Sequence, residues 1–247
     1  MRKTNDPKIE LHLHLEGGAP PSLIQQIAKE KNVDISSIFS EDGNYLFRDF
    51  THFLSVYEAA TSVLTSPKDF YRLTKAVLEQ SSQNGVTYTE TFLSPDFCGS
   101  ADVIAWRDYL AAIEEAATEA KKDWGITMQG IVTCIRHFGP KKARNAALCA
   151  AETTGDFIVG FGMAGAETVG KQGDYVYSFD LAREVKKKIQ KSNLDKIEGM
   201  ILMNHGIFTF DDDARSSYEK MIRLVSRAER FIKKKMQISI SKNYKTS

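Results

Sequence analysis

Four apolar strands alternate with amphipathic helical segments along most of this chain, and no other feature narrows its fold as much. The strands read as 9–15, expected to be buried, 86–93, 126–135 and 157–163, with β-branched and aromatic residues in the later ones and turn residues closing them. Between them, residues 50–64 carry Phe50, Phe53, Leu54, Tyr57 and Ala60 on one helical face, and residues 101–122, 140–153 and 179–189 are helical as well. Ser22 is placed to cap a helix bearing Leu23, Ile24, Ile27 and Ala28. Ser66 and Pro67 open another that runs to about Gln83 and stops at Asn84 and Gly85. Repeated strand–helix units imply an α/β fold with a parallel sheet. Polar groups just past the strand ends favour a (β/α) barrel, with a doubly wound open sheet as the second choice.

The chain has 247 residues, with 33 basic and 32 acidic side chains and a net charge of +1. That balance argues against nucleic acid or a membrane surface as a partner held by bulk charge. No apolar run approaches the roughly 20 residues of a membrane span. Residues 1–6 lead into the first strand without an apolar signal core, and Cys98, Cys134 and Cys149 are odd in number and far apart. A reducing, cytoplasmic setting is therefore expected. After Gln190 the texture changes. A charged break precedes a short strand over 199–204, an acidic turn, a helix from Ala214 to about Lys235 and a basic polar tail. The expected division is 1–190, 191–232 and 233–247.

The first strand holds the clearest chemistry. Its sequence ELHLHLEGG, residues 10–18, sets His12 and His14 two apart, so both imidazoles leave the same face of a strand. Two such imidazoles are half of a transition-metal site, since catalytic zinc takes three protein ligands and a water. The alternative is a pair of hydrogen-bonded structural histidines. Glu16, two further on and expected on the same face, reads either as a group that orients a ligand or as a plain loop carboxylate. Ser94, Arg136, His137 and Gly165 fall where strands two, three and four end, which in a barrel is one mouth, although each taken singly also reads as a turn residue. A glycine there lets a ligand approach the backbone closely. His52, among aromatic residues on a helix, reads as structural, and the cysteines as small buried hydrophobes.

The run PKIELHLHLEGGAPP over 7–21 resembles the opening motif of the adenosine deaminase family within the metal-dependent amidohydrolases. FTHFL at 50–54, GVTYTE at 85–90, Ser94-Pro95, IRH at 135–137 and GMAGAE at 162–167 extend the resemblance to about residue 185. It implies the N-terminal half of a (β/α)8 TIM-type barrel, incomplete here. It also implies a Zn2+ cofactor with His12 and His14 as ligands, and a purine nucleoside as the small-molecule partner. Glu16 would contact the ribose, His14 would also lie against the nucleoside, and the Gly165 backbone would meet the purine. The implied reaction is hydrolytic deamination of adenosine or deoxyadenosine to inosine and ammonia. In the family a third histidine ligand, a catalytic glutamate and an Asp-Asp pair come later, and no His-Ala-Gly-Glu segment follows Glu184, where the family would place it.

A second resemblance covers about 198–232. EGMILMNHGIFTFDDDARSSYE is similar to a piece of the class II, zinc-dependent sugar-phosphate aldolases, and implies a metal ligand at His205. The chain thus reads as a deaminase-like half followed by a short foreign strand–helix segment. Deaminase chemistry is expected to be impaired or absent for want of later ligands. The alternatives are a non-catalytic fused fragment and, behind it, an aldolase. Four barrel strands leave two open edges, through which the chain could self-associate. His205 could stand in as a third ligand from a fifth strand position.

Overall fold

A computed structural model describes residues 7–166, 168–189, 199–202, 206–209, 219, 222, 223, 226 and 230. The chain forms two compact units, Met1–Lys191 and Ser192–Ser247. The first holds β1 (Lys8–His14), α1 (Pro21–Lys31), α2 (Phe50–Thr61), α3 (Pro67–Gln83), β2 (Val86–Leu93), α4 (Val103–Trp124), β3 (Thr127–Ile135), α5 (Pro140–Thr153), β4 (Ile158–Ala164) and α6 (Val176–Ile189). The second holds the described strands β5 (Gly199–Leu202) and β6 (Gly206–Thr209).

Strands β1 to β4 lie in sequence order in one sheet, and every pairing is parallel. A doubly wound sheet reverses its strand order at a switch point, whereas a barrel does not. The monotonic order is that of four successive barrel strands, so the first unit is a partial (β/α) barrel. All four strands end on the same side, where Ser94, Arg136 and Gly165 follow directly on β2, β3 and β4.

The core lies between the sheet and its helices. Phe70, Leu73, Val77 and Leu78 of α3 meet Trp106, Leu110 and Ile113 of α4, and Leu93, Met128, Val132 and Ile158 join them from the strands. Trp106 is fully buried, and its indole N–H donates to Thr153 Oγ1 at 3.0 Å, so the polar edge of the largest core side chain is satisfied. The three cysteines are buried and free, as their spacing suggests.

Local signals explain most boundaries. Ser66 accepts from the Asp69 N–H with Pro67 in the first turn of α3, and Gly85, at φ +83°, follows the end of that helix. The structure departs from expectation at four points. Ser22 caps nothing: α1 begins one residue earlier, with Pro21 pre-set for the first turn and no side-chain cap. Helix α4 starts at Val103 because Ser100 and Ala101 have φ of +59° and +58°, which no right-handed helix contains; Asp102 caps it through the Ile104 and Ala105 N–H groups. Strand β1 is not fully buried. Ile9 is 66% exposed, because β1 is an edge strand of this sheet. Strand β5, expected as a possible fifth barrel strand, pairs antiparallel with β6, a strand that sequence reasoning missed. The helix expected from Ala214 lies mostly outside the described residues, as does the tail.

Candidate functional site

Alternation along β1 turns Leu13 toward the core and His12 and His14 to the opposite face of the sheet. The two rings lie 5.6 Å apart between centroids, and each lies 4.9 Å from the ring of Phe92 on β2. Phe92 is 5% exposed. Gly162 on β4 makes room for it, since a Cβ there would lie 3.3 Å from its ring. Phe92 therefore backs both imidazoles and limits their rotation. Two imidazoles bound tetrahedrally to one zinc have centroids about 5 Å apart, given zinc–nitrogen bonds near 2 Å. The observed spacing fits two ligands of one ion. Among the described residues no group of three or more His, Cys, Asp or Glu is close enough to hold a metal. His205 lies outside the described residues.

Glu16 does not continue the histidine face. The chain leaves the extended conformation at Leu15 (φ −55°, ψ −50°) and enters a 3-10 turn, Glu16–Gly18, which buries the carboxylate to 4% exposure. Tyr57 of α2 donates to its Oε2 at 2.9 Å. Burial raises the Glu16 pKa to about 7 against the opposing pull of its backbone and Tyr57 hydrogen bonds, and the nearby Glu16 charge adds to burial in raising the Tyr57 phenol. Its burial sets this carboxyl apart from an ordinary solvated loop carboxylate.

The other strand ends carry what the parallel sheet places there. Ser94 is fully buried after β2, and its Oγ accepts and donates no hydrogen bond among the described residues. Asp96, in the turn Pro95–Phe97, is also buried, with neither carboxyl oxygen bonded among the described residues. Burial raises its pKa, and the charge of Lys142 opposes the rise. After β4, Gly165 sits at φ +102°, in the left-handed region that favours glycine. A Cβ on Gly165 would lie 2.6 Å from His137 Nδ1, so the ring of His137 occupies the space that a side chain would need. His52 bonds within its own helix start: its backbone N–H donates to the α2 cap Asp49, and its Nδ1 accepts from the Arg48 N–H.

His12, His14, Ser94, His137 and Gly165 thus belong to strand ends on one side of the sheet, and Glu16 joins them from its buried turn. Sequence reasoning missed Phe92, Asp96 and the part played by Tyr57, which reads there only as part of an apolar helix face. Nothing local marks them, because each acts on a residue distant in sequence.

Comparison with known proteins gives this arrangement a context. A family model described as adenosine deaminase matches residues 7–191. The adenine deaminase of Chelativorans sp. is 40% identical over 177 residues, 72% of this chain and 54% of that protein. The adenine deaminase of Rhizobium rhizogenes shows the same identity over the same share. The chain spans about half the length of these curated relatives. Among solved structures, an adenine deaminase from Arthrobacter aurescens superposes with a TM-score of 0.62 at 27% identity, over 73% of this chain and 55% of that one. An amidohydrolase from Burkholderia ambifaria, solved with bound zinc, gives 0.64 at 22% identity over 74% and 50%, a likeness of fold.

Proposed function

Because the chain belongs to the adenosine deaminase family, we propose that its first unit carries the purine- and metal-binding side of a zinc-dependent aminopurine deaminase site. The observation that carries this reading is the His12–His14 pair, backed by Phe92 at the strand ends with a spacing suited to one ion. His12 and His14 would hold the metal. When bound, zinc supplies a water of lowered pKa for hydrolytic replacement of an amino group on the purine ring. Phe92 keeps the imidazoles aimed. Glu16, held by Tyr57, provides a buried carboxyl. Gly165, whose missing side chain leaves room for the His137 ring, presents the backbone after β4 to the edge of the base.

Adenine suits this site better than adenosine. The two bacterial relatives are named adenine deaminase, and Glu16, the group assigned to the ribose by resemblance, is buried with one oxygen engaged by Tyr57. The net reaction is then adenine plus water to hypoxanthine plus ammonia. Turnover needs donors beyond His12 and His14, and among the described residues no cluster of three or more donors supplies them. A second reading, binding without turnover, draws support from the family match ending at residue 191, the boundary between the two compact units. Under it, 192–247 is a separate addition. The edges of β1 and β4, each paired on one side only in this sheet, offer a route to self-association, and three free thiols suit a reducing cytoplasm.

The test is one purified sample of the full chain, assayed for zinc per chain and for adenine and adenosine turnover. One zinc lost on substitution of either histidine, with adenine bound, supports the proposal. Wild-type protein that takes up neither zinc nor purine refutes it.

A further inference from the structure

Strands β1 and β4 lie at opposite ends of the β1–β4 sheet and share no hydrogen bond in it. Two consecutive residues of α2 nevertheless link the two ends, Tyr57 directly and Glu58 through His137. Tyr57 donates to Glu16 after β1 at 2.9 Å. Its neighbour Glu58 places Oε1 3.2 Å from His137 Nε2, after β3. The other nitrogen of that ring, Nδ1, lies 3.3 Å from the backbone N of Ala166, in the turn after β4.

The chemistry of these contacts sets the tautomer. A backbone N–H can only donate, so Nδ1 accepts and carries no proton. The ring proton is then on Nε2 and points at the Glu58 carboxylate. The edge-on ring of Phe138, with its centroid 4.8 Å away, holds the imidazole in that orientation. The glycine at 165 is what admits the ring beneath the turn, since any Cβ there would come within 2.6 Å of Nδ1.

We propose that Glu58 and His137 are positioning residues: a strut from α2 through the imidazole that holds the Gly165–Ala166 backbone where a purine base docks. The docking part of this rests on the purine-binding reading above; the strut itself rests on geometry alone. Glu58 is exposed, and among the described residues its carboxylate bonds only His137, so a role in holding α2 alone would leave the far turn unaffected by its loss. The strut instead transmits that loss across the mouth to Ala166.

Two measurements on the full-length chain test this, each with Glu58→Ala, Glu58→Gln and His137→Ala. In hydrogen exchange, the peptide containing Ala166 loses protection about three- to tenfold in Glu58→Ala and His137→Ala, the worth of one hydrogen bond. A β3 peptide serves as the internal control. Glu58→Gln keeps an acceptor for Nε2–H and stays close to wild type. Equilibrium dialysis of zinc-loaded protein with adenine shows weakening of similar size in the two alanine variants and rescue in Glu58→Gln. Unchanged exchange at Ala166 in Glu58→Ala overturns the strut. Faster exchange with unchanged adenine affinity overturns its role in docking. If wild type binds no adenine while Glu58→Ala still exposes Ala166, the purine reading falls and the strut stands.

Discussion

The two ends of the sheet solve different problems. At the β1 end the candidate site is built from side chains: His12, His14 and Glu16 bring nitrogen donors and a carboxyl. At the β4 end it is built from backbone, the Gly165–Ala166 turn, and the side chain that matters there, His137, comes from the turn after the neighbouring strand. Side chains that act directly can be read from their types and spacing. A backbone that acts directly depends on what holds it, and here that is a residue 29 positions earlier in the chain. Helix α2 joins the two ends, because Tyr57 and Glu58 are consecutive and face different partners.

Substitution can break this contrast. The largest effect falls on the metal: His12→Ala or His14→Ala is expected to weaken zinc binding by at least about a hundredfold, since even outer-shell partners of metal ligands are worth 10–100-fold. Elemental analysis after dialysis against zinc buffers measures it. The same substitutions on a half-exposed edge strand are expected to change metal-free stability by no more than about 1 kcal/mol. Gly165→Ala should reverse that pattern. A left-handed φ and a clash with the His137 ring make it cost about 2 kcal/mol in urea unfolding. If Gly165→Ala is as benign as His12→Ala in metal-free protein, the contrast between the two ends fails.

Tyr57→Phe sharpens the β1 side. It strips a donor from a buried carboxyl while keeping the ring in place, at an expected cost of about 1–2 kcal/mol in the same unfolding assay. Asp96, at the end of a central strand, offers the smallest and most diagnostic effect. Its folded-state pKa is raised by burial, so its contribution to stability is whole below the ordinary aspartate range and is lost as pH rises through the folded value. Asp96→Asn should therefore flatten the decline in stability with rising pH in that window, followed by unfolding at a series of pH values. A decline of wild-type slope in Asp96→Asn would show that the acid is solvated.

Much of the fold is legible in the amino-acid sequence alone. The spans of β2, α3 and α5 follow from β-branched runs, a Ser66–Pro67 start and a Pro140 start, which are local effects of backbone sterics and capping. Local signals fail where a neighbour is decisive. The partial exposure of β1 follows from its place at the sheet edge, and the pairing of β5 with β6 follows from which strand reached it. Glu16 departs from its expected face for a related reason. Alternation predicts that face only while the strand lasts, and the chain turns at Leu15.

By itself, then, the sequence determined the strand–helix alternation, the His12–His14 pair and the family wording around Glu16 and Gly165, because periodicity and residue type are local properties. Only the tertiary structure decided that Phe92 backs both imidazoles, that Glu16 is buried against Tyr57, and that His137 lies under Gly165. These are contacts between residues 28 to 80 positions apart, closed by parallel pairing and helix packing. No local pattern encodes such contacts, since they exist only once the strand ends have been brought to one side of the sheet.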